Sequence, residues 1–293
     1  MKWILAGLAT LSVAALVVIV LIRSSETESR PQPEAAPLSS LSPTARREPA
    51  KPIVPVPEEE DDPNRPLKDP EPLPEPPKLD AKNEHKALLP DKSLLLETTT
   101  AADGKPKPVR LLFAAEVCLR RGPLEVLLCR KNTKEHEAVL RTSVDAKLIH
   151  AALIALGAKP GAPAQFFDPK TEKEDYKPAS GETIEVSVHY KQRGKPITQP
   201  AQDWIRDSKT KKPMEHRWVF AGSRFLKDPE QPDKPAYYAA NNGEIIGISN
   251  FVDSMLDIPV NVSRDDDSLA FVARTEAIPP VFTKVWLILT VGK

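Results

Sequence analysis

The chain has 293 residues, with 41 Lys plus Arg against 41 Asp plus Glu, 32 Pro and only 2 Cys. A formal net charge of zero gives no global pull toward nucleic acid, so no nucleic-acid partner is expected, and two cysteines cannot supply a four-thiolate zinc or iron–sulfur site. Of the prolines, 15 fall between Pro31 and Pro77, a density that keeps that stretch out of any core and leaves one globular domain, placed at 106–293.

Trp3 to Ile22 gives 20 residues without a charge, bracketed by Lys2 and Arg23, and 12 of them are Leu, Ile or Val. A helix of that length covers roughly 30 Å, the thickness of a hydrocarbon core. The run is longer than the apolar region of about 7 to 15 residues in a cleaved signal peptide, and no small-x-small site comes after it. An uncleaved transmembrane signal anchor over 3–22 is the expectation, with the membrane as its partner. The flanking cations are balanced, so orientation rests on the general habit of signal anchors to export the chain on their C-terminal side. The C-terminal part is expected to be extracytoplasmic, or periplasmic, where an envelope protein would be a further partner.

Residues 23–105 read as a disordered Pro/Glu-rich linker, with the acidic run Glu58 to Asp62 and the repeat-like Asp69-Pro70-Glu71-Pro72-Leu73-Pro74-Glu75-Pro76-Pro77. Each Pro removes an amide donor and disfavours the helical region for its predecessor. Extended polyproline geometry rises ~3.1 Å per residue, which makes such a segment a spacer that holds a domain away from a bilayer.

Beyond it, Pro108 to Leu119 and Leu124 to Arg130 are apolar runs separated by Arg120-Arg121-Gly122-Pro123, a pattern that predicts a β-hairpin. In that register Cys118 and Cys129 stand roughly 10 to 14 Å apart, too far for a disulfide. Glu137 to Thr142 predicts a third strand. Asp145 then caps a helix over Ala146 to Leu156, with Gly157 as its stop and Leu148, Ile149, Ala152, Leu153 and Leu156 on one face. Thr183 to Tyr190 alternates strictly, sending Ile184, Val186, Val188 and Tyr190 to one face. Trp218–Ala221, Glu244–Ser249, Leu269–Ala273 and Val285–Val291 add strands, and Asn241-Asn242-Gly243 marks a turn before the second of these. The expected class is α+β, a mainly antiparallel sheet with one or two packed helices, preceded by the transmembrane helix and the linker.

A series of blocks in order carries a family resemblance: Arg121-Gly-Pro-Leu-Glu125, Lys134-Glu-His-Glu137, Ala155-Leu-Gly-Ala-Lys-Pro-Gly161, Ala201-Gln-Asp-Trp204, Trp218-Val-Phe-Ala-Gly-Ser223, Lys227-Asp-Pro229, and Ile248-Ser-Asn-Phe251 through Leu256-Asp-Ile-Pro-Val260. From about Leu112 to Pro280 the chain resembles the YdjY-type domain family of bacterial envelope proteins. The resemblance implies a shared fold and an envelope setting, and supplies no reaction. Some relatives carry a ferredoxin-like label, which the two cysteines here do not fit.

Two groups of residues are chemical candidates. His136 and Glu137 with His150 form the candidate metal or acid–base set, since imidazole titrates near neutrality and ligates through a neutral nitrogen. In a strand, however, Glu137 faces opposite to His136, so convergence depends on the fold. Arg224, Tyr237, Tyr238, Asn241, Asn242 and Asn250 form a candidate ligand-binding set of the kind that recognises a polar molecule, and turns use the same residue types. There is no phosphate-binding loop, dinucleotide fingerprint, Gly-x-Ser-x-Gly elbow or His-Glu-x-x-His helix, so no cofactor is expected. The reading is a membrane-tethered envelope binding or scaffolding domain. Its alternative is an extracytoplasmic enzyme or metal-binding protein using His136, Glu137 and His150.

Overall fold

The computed structural model describes residues 62–66, 69–167, 174–262 and 270–292. The expected membrane segment 3–22 and the linker up to residue 61 lie outside these residues, and among the described ones no helix is long and apolar enough to cross a membrane.

Eleven strands form the main sheet. In chain order they are β1 (Glu84–Ala87), β2 (Leu94–Thr100), β3 (Pro106–Val117), β4 (Val126–Arg130), β5 (Ala138–Thr142), β6 (Thr183–Gln192), β7 (Lys195–Pro200), β8 (Trp218–Phe220), β9 (Ile246–Gly247), β10 (Leu256–Asp257) and β11 (Lys284–Val291). The path runs β3-β11-β6-β8-β10-β9-β4-β5, and β5 pairs back to β3 through Glu116↔Arg141 and Val117↔Leu140. Eight strands therefore close into a barrel. β1 and β2 extend outward from β3, and β7 lies on β6. Most ladders are antiparallel, but β9–β10 and β4–β5 are parallel.

This corrects the α+β expectation. One α-helix, α1 (Ala146–Ala155), is present among the described residues, with two short 3-10 turns at Ala201–Trp204 and Ala239–Asn242. Ten residues of helix cannot cover a sheet of this breadth, so the sheet curls and buries its own apolar face. Leu111, Phe113, Ala115 and Val117 of β3, Ile184, Val186, Val188 and Tyr190 of β6, Trp218 and Phe220 of β8, and Val285, Leu287 and Leu289 of β11 point to one shared core. The period-two alternation of each strand sorts these residues inward. Trp218 Nε1 donates to the Gly247 carbonyl at 2.9 Å, so the indole is buried without an orphaned donor.

The helix begins where the sequence places it. Asp145 accepts from Lys147 N at 2.8 Å. At the other end Ala158 N donates to Leu153 O at 3.0 Å around Gly157 at φ +97°, a left-handed stop. Ala146, Leu148, Ile149, Ala152 and Leu153 join the barrel core.

The expected hairpin between the two runs 108–119 and 124–130 does not form. β3 and β4 are not neighbours: β5 lies between them, antiparallel to β3 and parallel to β4. The connecting turn pairs instead with a distant segment, Leu124 N donating to Phe271 O at 3.0 Å and Ala273 N to Gly122 O at 2.9 Å.

Ordered structure also reaches well before residue 106. The Pro-rich end of the linker lies against the outside of the barrel as a strap: Leu73 packs on Leu95, Leu112, Trp286 and Ile288, and Trp286 Nε1 donates to Pro74 O at 2.7 Å. A Pro-rich segment offers bare carbonyls, and an indole N–H at the barrel wall is a donor suited to them.

Gly181 sits beside β8 at φ +142°, and a Cβ there would lie 2.1 Å from the Phe220 carbonyl oxygen. Gly181→Ala combines a backbone clash with a disfavoured φ, and we expect it to cost about 3 kcal/mol or more, read as a lowered urea midpoint with an unchanged slope.

Candidate functional site

β3 pairs with β2 as far as Phe113 and with β5 from Glu116 onward. Where it changes partner, the two neighbouring strands diverge and a cleft of about 470 Å³ opens, within the size range of small-molecule sites. β3 contributes Ala114 and Ala115 to its lining. One wall is the β1–β2 turn with Leu89, Asp91 and Ser93, and the other is the end of β4 and the start of α1, with Arg130, Lys131, Ser143 and Leu148.

The cleft is dominated by charge. Four cations, Arg130, Lys131, Arg141 and Lys284, face three carboxylates, Asp91, Glu116 and Asp145. Arg141 is the organising residue: its Nε donates to Glu116 Oε1 at 2.8 Å and its Nη1 to Glu135 Oε2 at 2.6 Å, while the guanidinium lies 5.1 Å from the Phe282 ring centroid. Lys284 Nζ pairs with the other oxygen of Glu116. Burial alone would raise the Glu135 carboxyl, but the Asn132 N–H and the Arg141 guanidinium outweigh it and hold the group below its ordinary value. Glu116 and Glu135 thus hold the Arg141 guanidinium through separate nitrogens.

The start of α1 does not act as an anion site, because its amides are already used. Asn241 Oδ1 accepts from Ala146 N at 2.9 Å, and Asn241 Nδ2 donates to the capping oxygen of Asp145 at 2.9 Å. Arg130 stands 3.7 Å from Asp145, a loose pair. Lys131 and Ser143 are exposed, and these two with Arg130 are the polar groups least committed to the protein.

Asn241, expected as a ligand contact, is thus a helix cap, reaching across 95 residues of sequence. The rest of that set divides between surface pairs and structural bonds. Arg224 pairs with Asp253 at 2.6 Å, and Tyr237 donates to Asn242 Oδ1 at 2.9 Å. Asn250 is fully buried, donating to Ile258 O at 3.0 Å and accepting from Val262 N at 2.8 Å, so it shapes its own loop.

The metal or acid–base set does not converge. His136 is 78% exposed, with Nε2 3.7 Å from Glu137. Glu137 belongs instead to a cluster around Lys134, whose ammonium reaches Glu137 at 2.8 Å, Glu125 at 3.1 Å and Glu244 at 3.5 Å and stands 4.4 Å from the Phe251 ring centroid. Burial pushes against the Lys134 charge, yet its bonds to Glu137 and Glu125 keep the ammonium above its ordinary value. Burial raises Glu125 and Glu244. Gly243 makes this approach feasible, since a Cβ there would lie 2.8 Å from Lys134 Cγ. Among the described residues no group of three His, Cys, Asp or Glu side chains is placed to hold a metal ion.

His150 sits in a separate aromatic chamber, at 4.9 Å from Phe220 and 5.3 Å from Tyr238 between ring centroids. Its Nδ1 shares a 2.7 Å hydrogen bond with the Tyr238 hydroxyl, which also reaches Gly222 O at 3.0 Å. Burial pushes the imidazole down to about 4 and the Tyr238 phenol upward, so both are neutral near pH 7 and serve packing.

The cleft was not among the sequence candidates. A trace of it is legible in retrospect: adjacent Ala114 and Ala115 within a long apolar run, and Glu116 and Arg141 as charges inside strands.

Fold and site together define a closed β-barrel with a charge-lined cleft at the point where its sheet divides. The YdjY domain model matches residues 103–290, and the chain belongs to that family. No curated protein and no solved structure matches it. The matched stretch begins after β2, so the wall carrying Leu89, Asp91 and Ser93 comes from residues outside it.

Proposed function

We propose that this protein is a membrane-tethered binding domain of the cell envelope, and that its cleft takes a small anionic ligand. The observation that carries the reading is the cleft itself, with four cations against three carboxylates in a chain of zero net charge. An anion would be met by Arg130, Lys131 and the Ser143 hydroxyl, while Leu89 and Leu148 offer apolar surface to the rest of the molecule. The apolar segment 3–22 and the Pro-rich stretch behind it support the tether: the first has the length and hydropathy of a membrane span, and the second holds the barrel at a distance from it.

The test for binding is thermal unfolding of the full chain with inorganic phosphate, acetate and succinate at about 10 mM each. A ligand at about 100 times its Kd stabilises by about 2.7 kcal/mol, a shift of several degrees. We expect at least one of these anions to raise Tm, and Lys131→Gln with Arg130→Gln to abolish the rise without lowering the ligand-free Tm. No shift with any of the three overturns the anion reading. For the tether, cell fractionation should recover the chain with membranes, and release by alkaline carbonate without detergent would count against it.

A further inference from the structure

We propose that the Pro-rich strap is exchangeable, and that the groove it fills on the outside of the barrel takes the strap of a second copy of this chain. Leu95, Leu112 and Ile288 stand side by side in register on β2, β3 and β11, and Trp286 is two residues along β11 on the same face. All four are buried, in a cluster separate from the barrel core, and Leu73 is the strap residue that packs on them. Without the strap this row is an apolar patch on the outer wall, the kind of surface that marks an interaction site.

The strap is held as a proline-rich ligand is held, not as a strand. Residues 69–77 make no backbone–backbone hydrogen bond with the described residues. Their polar anchors are two carbonyls, Pro74 O accepting from Trp286 Nε1 and Pro77 O accepting from Arg110 Nη2, each at 2.7 Å. Three residues separate these acceptors, one turn of a polyproline II helix, so both turn the same side to the barrel. An aromatic wall, donors aimed at bare carbonyls and one apolar seat are the means by which proline-rich segments are recognised. Asp69, Pro70, Glu71, Pro72 and Glu75 stay exposed, so few contacts have to break for the strap to leave.

The position of the strap in the chain points to a second copy as the occupant. It precedes every strand of the sheet, so it leaves without unpairing the barrel. The unit that moves is 62–77, because Asn64 Oδ1 accepts from Arg120 N at 2.8 Å and from Arg121 N at 3.1 Å and Pro66 bridges Val281. Extended, these residues span roughly 50 Å, and the exposed stretch Lys78 to Lys82 is the hinge before β1. Every copy carries the same strap and the same groove, so exchange replaces each contact by its equal. In dilute solution the chain's own strap wins, at an effective concentration of about 1 mM; crowding of copies favours exchange.

The experiment mixes two full-length variants in one detergent and follows them by sedimentation velocity. Leu73→Asp disables the strap and keeps the groove, whereas Trp286→Ala disables the groove and keeps the strap. Each alone should sediment as a monomer, and the mixture at about 100 μM of each should give a 1:1 heterodimer. A labelled synthetic peptide of residues 62–79 reads the groove without the Trp286 variant: it should bind Leu73→Asp at least about tenfold more tightly than wild type, whose own strap competes. The same peptide carrying Leu73→Asp should not bind. A mixture that stays monomeric, either variant associating alone as strongly as the mixture, or equal peptide affinity for wild type and Leu73→Asp would each overturn the proposal. Peptide binding without a heterodimer removes the second copy as the occupant. None of these readouts involves an anion in the cleft.

Discussion

Between pH 4 and pH 6.5, Asp257→Asn should make stability climb with pH, and His150→Phe should make it fall, each by about 3 kcal/mol relative to wild type. The two groups titrate in opposite senses on folding. His150 is pushed down to about 4 by burial, whereas an unfolded imidazole titrates near 6.5. As pH falls from 6.5 toward 4, the unfolded chain takes up a proton that the folded one refuses. Stability from neutral His150 is therefore full above 6.5 and lost toward 4. Asp257 is pushed up to about 7 by burial, although the backbone N–H groups of Ile258 and Phe251 donate to it at 2.8 and 3.2 Å. An unfolded carboxyl ionises near 3.9, so the contribution of protonated Asp257 is full below that value and lost as pH rises toward 7. Over the shared window each group contributes a slope of about 1.4 kcal/mol per pH unit, of opposite sign. Urea midpoints at four pH values would show the divergence. Phe at 150 keeps the ring contacts with Phe220, Phe225 and Tyr238 and loses only the titration and one hydrogen bond. Parallel profiles for both variants and wild type would refute the assignment.

What the sequence disclosed is local, and what it concealed is long-range. The helix limits came from Asp145, the apolar stripe and Gly157, all within a dozen residues, because caps and stops are chosen by nearest neighbours. The inward face of β6 came from strict alternation. Closure of the barrel did not, since the strands that meet at β3 and β11 are separated by most of the domain, and periodicity specifies a face without naming a partner. The Arg120–Pro123 turn looked like a hairpin for the same reason: its backbone finds Phe271–Ala273, which no local pattern announces. The candidate residues show a related limit. Asn241 was recognised as a polar residue with work to do, but amide side chains cap helices as readily as they hold ligands. Lys134 stood in the run Lys134-Glu-His-Glu137 without a role of its own, because two of its three carboxylates, Glu125 and Glu244, come from elsewhere in the chain. The cleft arises from a change of pairing partner, a property of topology that a list of residue types does not contain.

Arg110→Ala should destabilise the protein by about 3–5 kcal/mol and free the Pro-rich strap, which makes it the most damaging single truncation outside the core. Glu97 has no exposed surface and gathers four bonds: Arg110 Nε at 2.6 Å and Nη2 at 2.5 Å, Leu79 N at 2.7 Å and Asn83 Nδ2 at 2.7 Å. The same guanidinium donates to Pro77 O at 2.7 Å, so one side chain neutralises the buried carboxylate and pins the strap. His85 cannot replace it, because its Nε2 stands 3.9 Å from Glu97 and burial holds its imidazole below the usual value despite that carboxylate. Truncating Arg110 leaves a charge in the interior with two neutral donors, and removing one partner of a buried pair is far more costly than removing both. The double variant Arg110→Ala with Glu97→Gln, which keeps an acceptor for Leu79 N, should therefore recover more than half of the loss. Limited trypsin digestion reads the strap independently. Cleavage after Lys78 and Lys82 should accelerate at least tenfold in Arg110→Ala, about 1.4 kcal/mol of local opening, and should stay fast in the double variant, which still lacks the bond to Pro77. Recovery of stability without recovery of protection would separate the two roles of this arginine; if the double variant is as unstable as the single one, the charge is not what Arg110 is there to balance.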